Sequence, residues 1–187
     1  MSGMSDDKAG LLPEFFAYIC AHPESDGSHS DELSPPGPPA DLVEVEAAER
    51  ALGVIFDDEY RAMLLSADGW PNMQGMYRIF GVADYLRLPR DTGGHISDTI
   101  VDEGAAAYFS SQEFNDPSES AIAESGGYRA ILVGKSTVSS RFFIMRFSCV
   151  ERRPRSPFFD CMSGGDDRYD GIAEWLNQQR QWISEGF

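Results

Sequence analysis

Apolar residues recur at helical spacing in four separate stretches of the chain and at strand spacing in several others. Near the start, Leu12, Phe15, Phe16 and Ile19 fall on one face of a short helix over about 11–20, with Pro13 tolerated in its first turn. Residues 21–40 carry no such period. Their polar run and the Pro-Pro-Gly-Pro-Pro at 35–39 exclude a helix or a central strand and read as a linker. From Asp41 the pattern resumes. Asp41 and Glu44 have capping-box spacing; Leu42, Val45, Ala48 and Leu52 make one stripe, and Gly53 stands where a left-handed C-cap is wanted. Asp57 then caps a second helix, with Asp58 and Glu59 in the first turn, where the helix dipole favours negative charge. Tyr60, Met63 and Leu64 form its buried stripe, and Gly69 is expected to stop it.

Strand character begins afterwards. A short β run covers 76–80, and three more cover 129–134, 141–148 and 156–162, rich in Val, Ile and Phe and punctuated by Gly, Ser, Arg or Pro. Phe143, Met145 and Phe147 share one face of the middle run. Between 90 and 127 the chain is polar and Gly-rich, with one short helix expected near 103–112. A last helix over 170–184 presents Ile172, Trp175, Leu176, Trp182 and Ile183, with Asp170 as its expected cap. Short connections between successive strands favour antiparallel pairing. The pattern predicts an α+β single domain: an antiparallel sheet packed with two N-terminal helices and a C-terminal helix, over residues 41–187. Residues 1–40 are set apart as an N-terminal extension. No internal repeat is visible.

Composition narrows what such a domain does. The chain has 187 residues, enough for one full core. No run of apolar residues is long enough for a membrane span, and the acidic start lacks the basic and apolar regions of a secretory signal. Cys20, Cys149 and Cys161 form no close pair and no CxxC, so reduced thiols are expected. These features lead us to expect a cytoplasmic protein.

The formal net charge of −16 is unevenly spread: 24 acidic against 6 basic side chains over residues 1–124, then 7 against 9 over 125–187. Such a surface repels nucleic acid and anionic membrane and attracts a basic partner. Solubility alone is the plainer use of the same charge.

Catalytic signatures are missing. The sequence has no G-x-S-x-G, no P-loop and no G-x-G-x-x-G. His22 and His29 fall in the linker, where solvated side chains are expected rather than metal ligands; His95 stands alone in a Gly-rich stretch without a visible nucleophile. The pairs Asp57-Asp58 and Asp166-Asp167 read as helix starts rather than cation sites, and Arg152-Arg153-Pro154-Arg155 as a hairpin turn with solvated arginines. No enzyme activity, cofactor or metal is therefore expected. The segment from 57 to 124 holds 13 acidic against 4 basic side chains. Within it Asp84, Asp91, Asp98, Asp102, Glu103, Asp116 and Glu119 are the candidate partner-binding carboxylates, since acidic side chains on a structured face can pair with Lys and Arg of a partner. A solvated loop that touches nothing is the alternative. Tyr85, Tyr108, Phe109 and Phe114 in the same segment are candidate interface anchors or, individually, core residues.

One segment carries a family pattern. It runs Pro38-Pro39-Ala40, then Val45, Glu49 and Leu52-Gly53-Val54, then Asp58-Glu59-Tyr60-Arg61, Leu64-Leu65 and Asp68-Gly69-Trp70. This resembles the SUKH superfamily, which also contains a yeast regulator of cell-wall synthesis. The similarity covers about residues 38–185. It is specific over the first 33 of them and elsewhere follows only the order and character of elements. Two departures stand out: Asp57 where many relatives have proline, and Asp68-Gly69 where Asn-Gly is common. Asp serves both positions chemically. The resemblance implies an immunity protein that binds and neutralises a cognate toxin, often a nuclease or other nucleic-acid- or nucleotide-directed enzyme, by occluding its active site. It carries over no catalytic residues. The alternative it implies, from the eukaryotic relatives, is a regulatory adaptor binding several cellular partners.

Overall fold

The computed structural model describes residues 10–22, 34–86, 127–162 and 165–185, the side chains of 162, 165 and 166 excepted. Five helices, α1 Leu11–Ala21, α2 Leu42–Leu52, α3 Asp58–Ser66, α4 Val82–Leu86 and α5 Ile172–Glu185, occur among these residues. Six strands accompany them: β1 Trp70–Met73, β2 Tyr77–Ile79, β3 Tyr128–Ser136, β4 Phe142–Ser148, β5 Phe158–Met162 and β6 Gly165–Tyr169. The strands form one sheet in the order β1-β2-β3-β4-β5-β6, every neighbour antiparallel. The class is α+β, as the pattern predicts.

The starts of α2 and α3 are built as read. Glu44 accepts from the Asp41 N–H at 3.2 Å, closing the capping box of α2, and Gly53 ends that helix at φ +66°. Asp57 Oδ1 accepts from the Tyr60 N–H at 2.7 Å, capping α3. Gly69 does something else. Helix α3 already ends at Ser66, and Gly69 opens β1 at φ +72°, where an added Cβ would lie 2.6 Å from the Gly81 nitrogen. It is a close-approach glycine between two chain segments, not a helix stop.

Alternation along β4 sends Phe143, Met145 and Phe147 into the main core with the helices, while Ile144 joins Phe159 and Cys161 in a smaller buried cluster on the other face. Trp175 of α5 packs against Phe143 and Phe158, each with ring centroids 4.8 Å away. Helix α1 enters the same core through Leu12, Phe15 and Ile19, and Phe15 and Phe16 meet the edge of Trp70 at 6.2 and 5.6 Å. The helix that precedes the Pro-rich run therefore packs on its own domain. That run is also tied down from Ser34 onwards. Ser34 O accepts from Trp70 Nε1, Pro38 O from the Asp68 N–H, and the Ala40 N–H donates to Leu64 O.

Several local expectations change. Leu42 is exposed, and the buried stripe of α2 is completed by Glu49 instead. Trp182 is half-buried, and Gln179 takes an interior slot on α5. Residues 166 and 167 belong to β6, so that acidic pair starts no helix. Strand β1 and helix α4 arise in stretches with no regular period, because each is only four or five residues long. Asp170 does not cap α5. The Gly171 carbonyl accepts the first helical bond, and the orphan Ala173 N–H donates to Glu59 Oε1 of α3 at 2.9 Å. The arginine cluster is not freely solvated. Arg155 pairs with Glu59 at 3.3 Å, Arg152 with Glu49 at 3.4 Å, and Arg153 with Glu151 while covering the Tyr128 ring.

Two predictions follow from these buried carboxylates. Burial pushes the Asp57 carboxyl up to about 6, opposed by the Tyr60 N–H and the nearby Ser156 hydroxyl and reinforced by the Glu59 charge. Among the described residues neither Asp57 Oδ2 nor Ser156 Oγ has a partner at hydrogen-bonding geometry. A raised carboxyl favours its neutral form in the fold, so its contribution is fully present below the unfolded value and is lost as pH rises from about 4 through about 6. Asp57→Asn keeps an acceptor for Tyr60 and removes this term. Urea unfolding should show the variant gaining on the parent by roughly 2–3 kcal/mol between pH 4 and pH 7.5; an equal difference at both pH values refutes the assignment. For Glu59, Ala substitution strands the Ala173 N–H and should cost about 1–3 kcal/mol. Glu59→Gln retains an acceptor and loses only a pair to half-exposed Arg155, about 1 kcal/mol or less. Equal losses in the two variants would contradict the capping role.

Candidate partner-binding surface

Three carboxylates from separate elements converge where α2, the α3–β1 connection and α4 meet. Glu44 stands in the first turn of α2 because it closes the capping box. Asp68 is placed by the turn after α3, and its Oδ1 accepts from the Val82 N–H at 2.5 Å at the start of α4. Asp84 accepts from the Gly81 N–H at 3.0 Å through Oδ2 and pairs with Arg78 through Oδ1. Helix α4 itself is held by Tyr85, whose ring is buried and whose hydroxyl lies 2.7 Å from that of Tyr60. Burial pushes both phenols upward, so neither ionises near neutrality.

Glu44, Asp68, Val82, Ala83 and Leu86 line a cleft of about 200 Å³. The Asp68 carboxyl is raised above the ordinary range by burial, then held back by the Val82 N–H and raised again by the charges of Glu44 and Asp84. A carboxylate whose pKa is raised by like charges marks a locally negative field, which a cation would relieve. Apolar side chains stand close in sequence to these carboxylates: Leu42 is 47%, Val43 69% and Leu86 37% exposed. Of these, Leu86 lines the recess itself, so the surface combines negative charge with an exposed apolar side chain, a composition that suits a basic, partly apolar partner.

Of the carboxylates read as candidates, Asp84 stands beside this cleft, with both oxygens already engaged inside the chain. Asp91, Asp98, Asp102, Glu103, Asp116 and Glu119 lie outside the described residues, as do His29, His95, Tyr108, Phe109 and Phe114. Tyr85 is a core residue. Glu44 and Asp68 were not among the candidates because each reads locally as a cap or turn residue; only the packing of α4 against α2 brings them together. His22 stacks on Tyr18 at the end of α1. Among the described residues no three His, Cys, Asp or Glu side chains gather as metal ligands, no disulfide joins Cys20, Cys149 or Cys161, and no helix is long and apolar enough to cross a membrane.

Comparison of the chain with protein-family models, curated proteins and solved structures found no match.

The electrostatics of the cleft are directly measurable. Glu44→Gln should lower the Asp68 midpoint in a carboxyl NMR titration while leaving it above the ordinary aspartate value, because burial is the larger cause. An unchanged midpoint would mean that the two groups do not share a field.

Proposed function

We propose that this chain is a cytoplasmic, non-enzymatic immunity protein of the SUKH type, binding one basic toxin tightly and occluding its active site. The observation that carries the reading is the recess lined by Glu44, Asp68 and the exposed Leu86, with the Asp84 charge acting on Asp68 from beside it. The family-like segment 38–70 supports it from the sequence side, since both Glu44 and Asp68 belong to that stretch. A nuclease or nucleotide-directed toxin lines its cleft with Lys and Arg to hold phosphate. Carboxylates offered in that cleft take the phosphates' place, and the apolar residues beside them supply the desolvated contacts that hold the complex. The net charge of −16 steers a cationic partner toward the chain before contact. Asp91, Asp98, Asp102, Glu103, Asp116 and Glu119 remain proposed contacts on their charge alone.

The decisive experiment is co-expression with the product of the neighbouring open reading frame. The expected result is a one-to-one complex that survives purification, together with rescue of cells from that product's toxicity. A neighbour that is neither toxic nor bound defeats the proposal. With a toxin in hand, the triple variant Glu44→Gln, Asp68→Asn, Asp84→Asn keeps an acceptor for the Asp41, Val82 and Gly81 N–H groups and removes three charges, giving up the half-exposed Asp84–Arg78 pair. Its association rate at low salt should fall about tenfold and lose much of its salt dependence. Because a cation favours the ionised form of Asp68, the parent complex should also tighten as pH rises through the Asp68 midpoint. A rate and salt dependence equal to the parent's would exclude this surface.

A further inference from the structure

A second recess shares no residue with the acidic cleft. It lies between the β1–β2 turn, the start of β4 and the last turns of α5, has a volume of about 510 Å³, and is lined by Gln74, Met76, Tyr77, Arg141, Gln179, Trp182, Ile183 and Glu185. That volume is in the range of small-molecule sites, and the lining has their composition, mostly apolar with a few polar groups.

Three polar side chains in this lining are otherwise unexplained or underused. Gln179 is 5% exposed on α5, and among the described residues its Nε2 has no hydrogen-bond partner. A buried amide without a partner carries a desolvation cost that an apolar residue at the same place would avoid. Arg141 donates from Nε to Asp160 Oδ1 at 2.6 Å, from Nη2 to Asp160 Oδ2, and from Nη1 to the Tyr77 hydroxyl at 2.9 Å. Asp160 is held on its other side by Trp175 Nε1 at 3.0 Å, so the guanidinium is fixed in place. A guanidinium has five N–H donors, and two on Arg141 are not used by these bonds. Gln74, also buried, adopts φ +55° beside Gly75 at +68° in a turn closed by the Met76 N–H on Met73 O at 3.1 Å. A left-handed glutamine costs more than Gly or Asn there. Strain of this kind concentrates where a side chain has a use.

We propose that this recess binds an uncharged aromatic carbonyl compound, its ring against Tyr77 and Trp182 and its oxygen on N–H groups of Gln74, Gln179 and Arg141. The unused groups in this lining include the Gln179 Nε2 amide and two Arg141 N–H, all donors, which selects an acceptor. The charge on Arg141 is already balanced by Asp160, Glu185 stands in the lining, and the chain carries −16 overall, which together disfavour an anion. Tyr77 is anchored by Arg141, whose guanidinium lies 5.3 Å from its ring centroid, so that wall is pre-formed.

Benzamide, benzoate and toluene separate the contributions in titrations of the full chain, followed by side-chain NMR of the Trp182 indole and Gln179 amide. Benzamide should shift both resonances and bind more tightly than benzoate, which carries the disfavoured charge, and than toluene, which lacks the acceptor. Gln179→Leu removes the donor while suiting a helix, and should weaken benzamide about three- to tenfold with toluene unchanged. Gln74→Gly relieves the turn, so it should fold at least as stably as the parent yet bind benzamide less well. The proposal is overturned if benzamide leaves both resonances unmoved up to its solubility limit. Tighter binding of benzoate, equal losses for benzamide and toluene in Gln179→Leu, or unchanged benzamide binding in Gln74→Gly would also overturn it.

Discussion

The fold hangs on carboxylates buried at the elbow between α2 and α3. Glu59 is 1% exposed, and its two oxygens face two different elements: one accepts from the orphan N–H at the start of α5, the other meets Arg155 from the β4–β5 connection. Glu49 repeats the arrangement, accepting from the Phe56 N–H at 3.0 Å and from Arg61 at 2.7 Å, with Arg152 beyond. A carboxylate out of water is costly unless donors surround it. Two helices and a strand connection must therefore be present together. Backbone bonds lock the same junction, from the Ile55 N–H to Ser148 O at 2.8 Å and from the Asp58 N–H to Arg153 O at 2.9 Å.

This junction gives the uneven charge a structural meaning. The excess of arginine in the last third of the chain is partly spent inside the molecule, on carboxylates contributed by the first third. Arg141 and Asp160 form a comparable pair within the sheet, fixed by Tyr77 and Trp175. Several of the arginines are thus internally paired, and among the described residues Arg78 is the counter-charge beside the acidic cleft, through Asp84. The two recesses differ accordingly. One is a negative field with apolar neighbours; the other is an apolar chamber whose one ion pair is already neutral.

Much of the scaffold was legible along the chain because helices α1, α2, α3 and α5 and the long strands bury continuous stripes of their own. The capping box at Asp41 and the caps at Asp57 and Gly53 were readable for the same reason: a cap is a contract between residues three or four apart. Elements too short to show a period, such as β1 and α4, were not. Nor was the true cap of α5, which comes from a glutamate 114 positions away from its amide partner. The candidate surface divides along the same line. Asp84 could be picked out by composition, whereas Glu44 and Asp68 looked like ordinary cap and turn residues until α4 packed beside α2.

What the sequence by itself determined is therefore the α+β class, the stripes that make the core and the acidity of the first two-thirds, since all of these depend on residue type and near-neighbour spacing. Tertiary structure decided which charges are spent and which remain. Whether a carboxylate is a cap, a buried clamp or an open group depends on which donors the fold brings within about 3 Å of it. For Glu59, Glu49, Asp160 and Asp68 those donors come from other elements, at distances along the chain that no local pattern encodes.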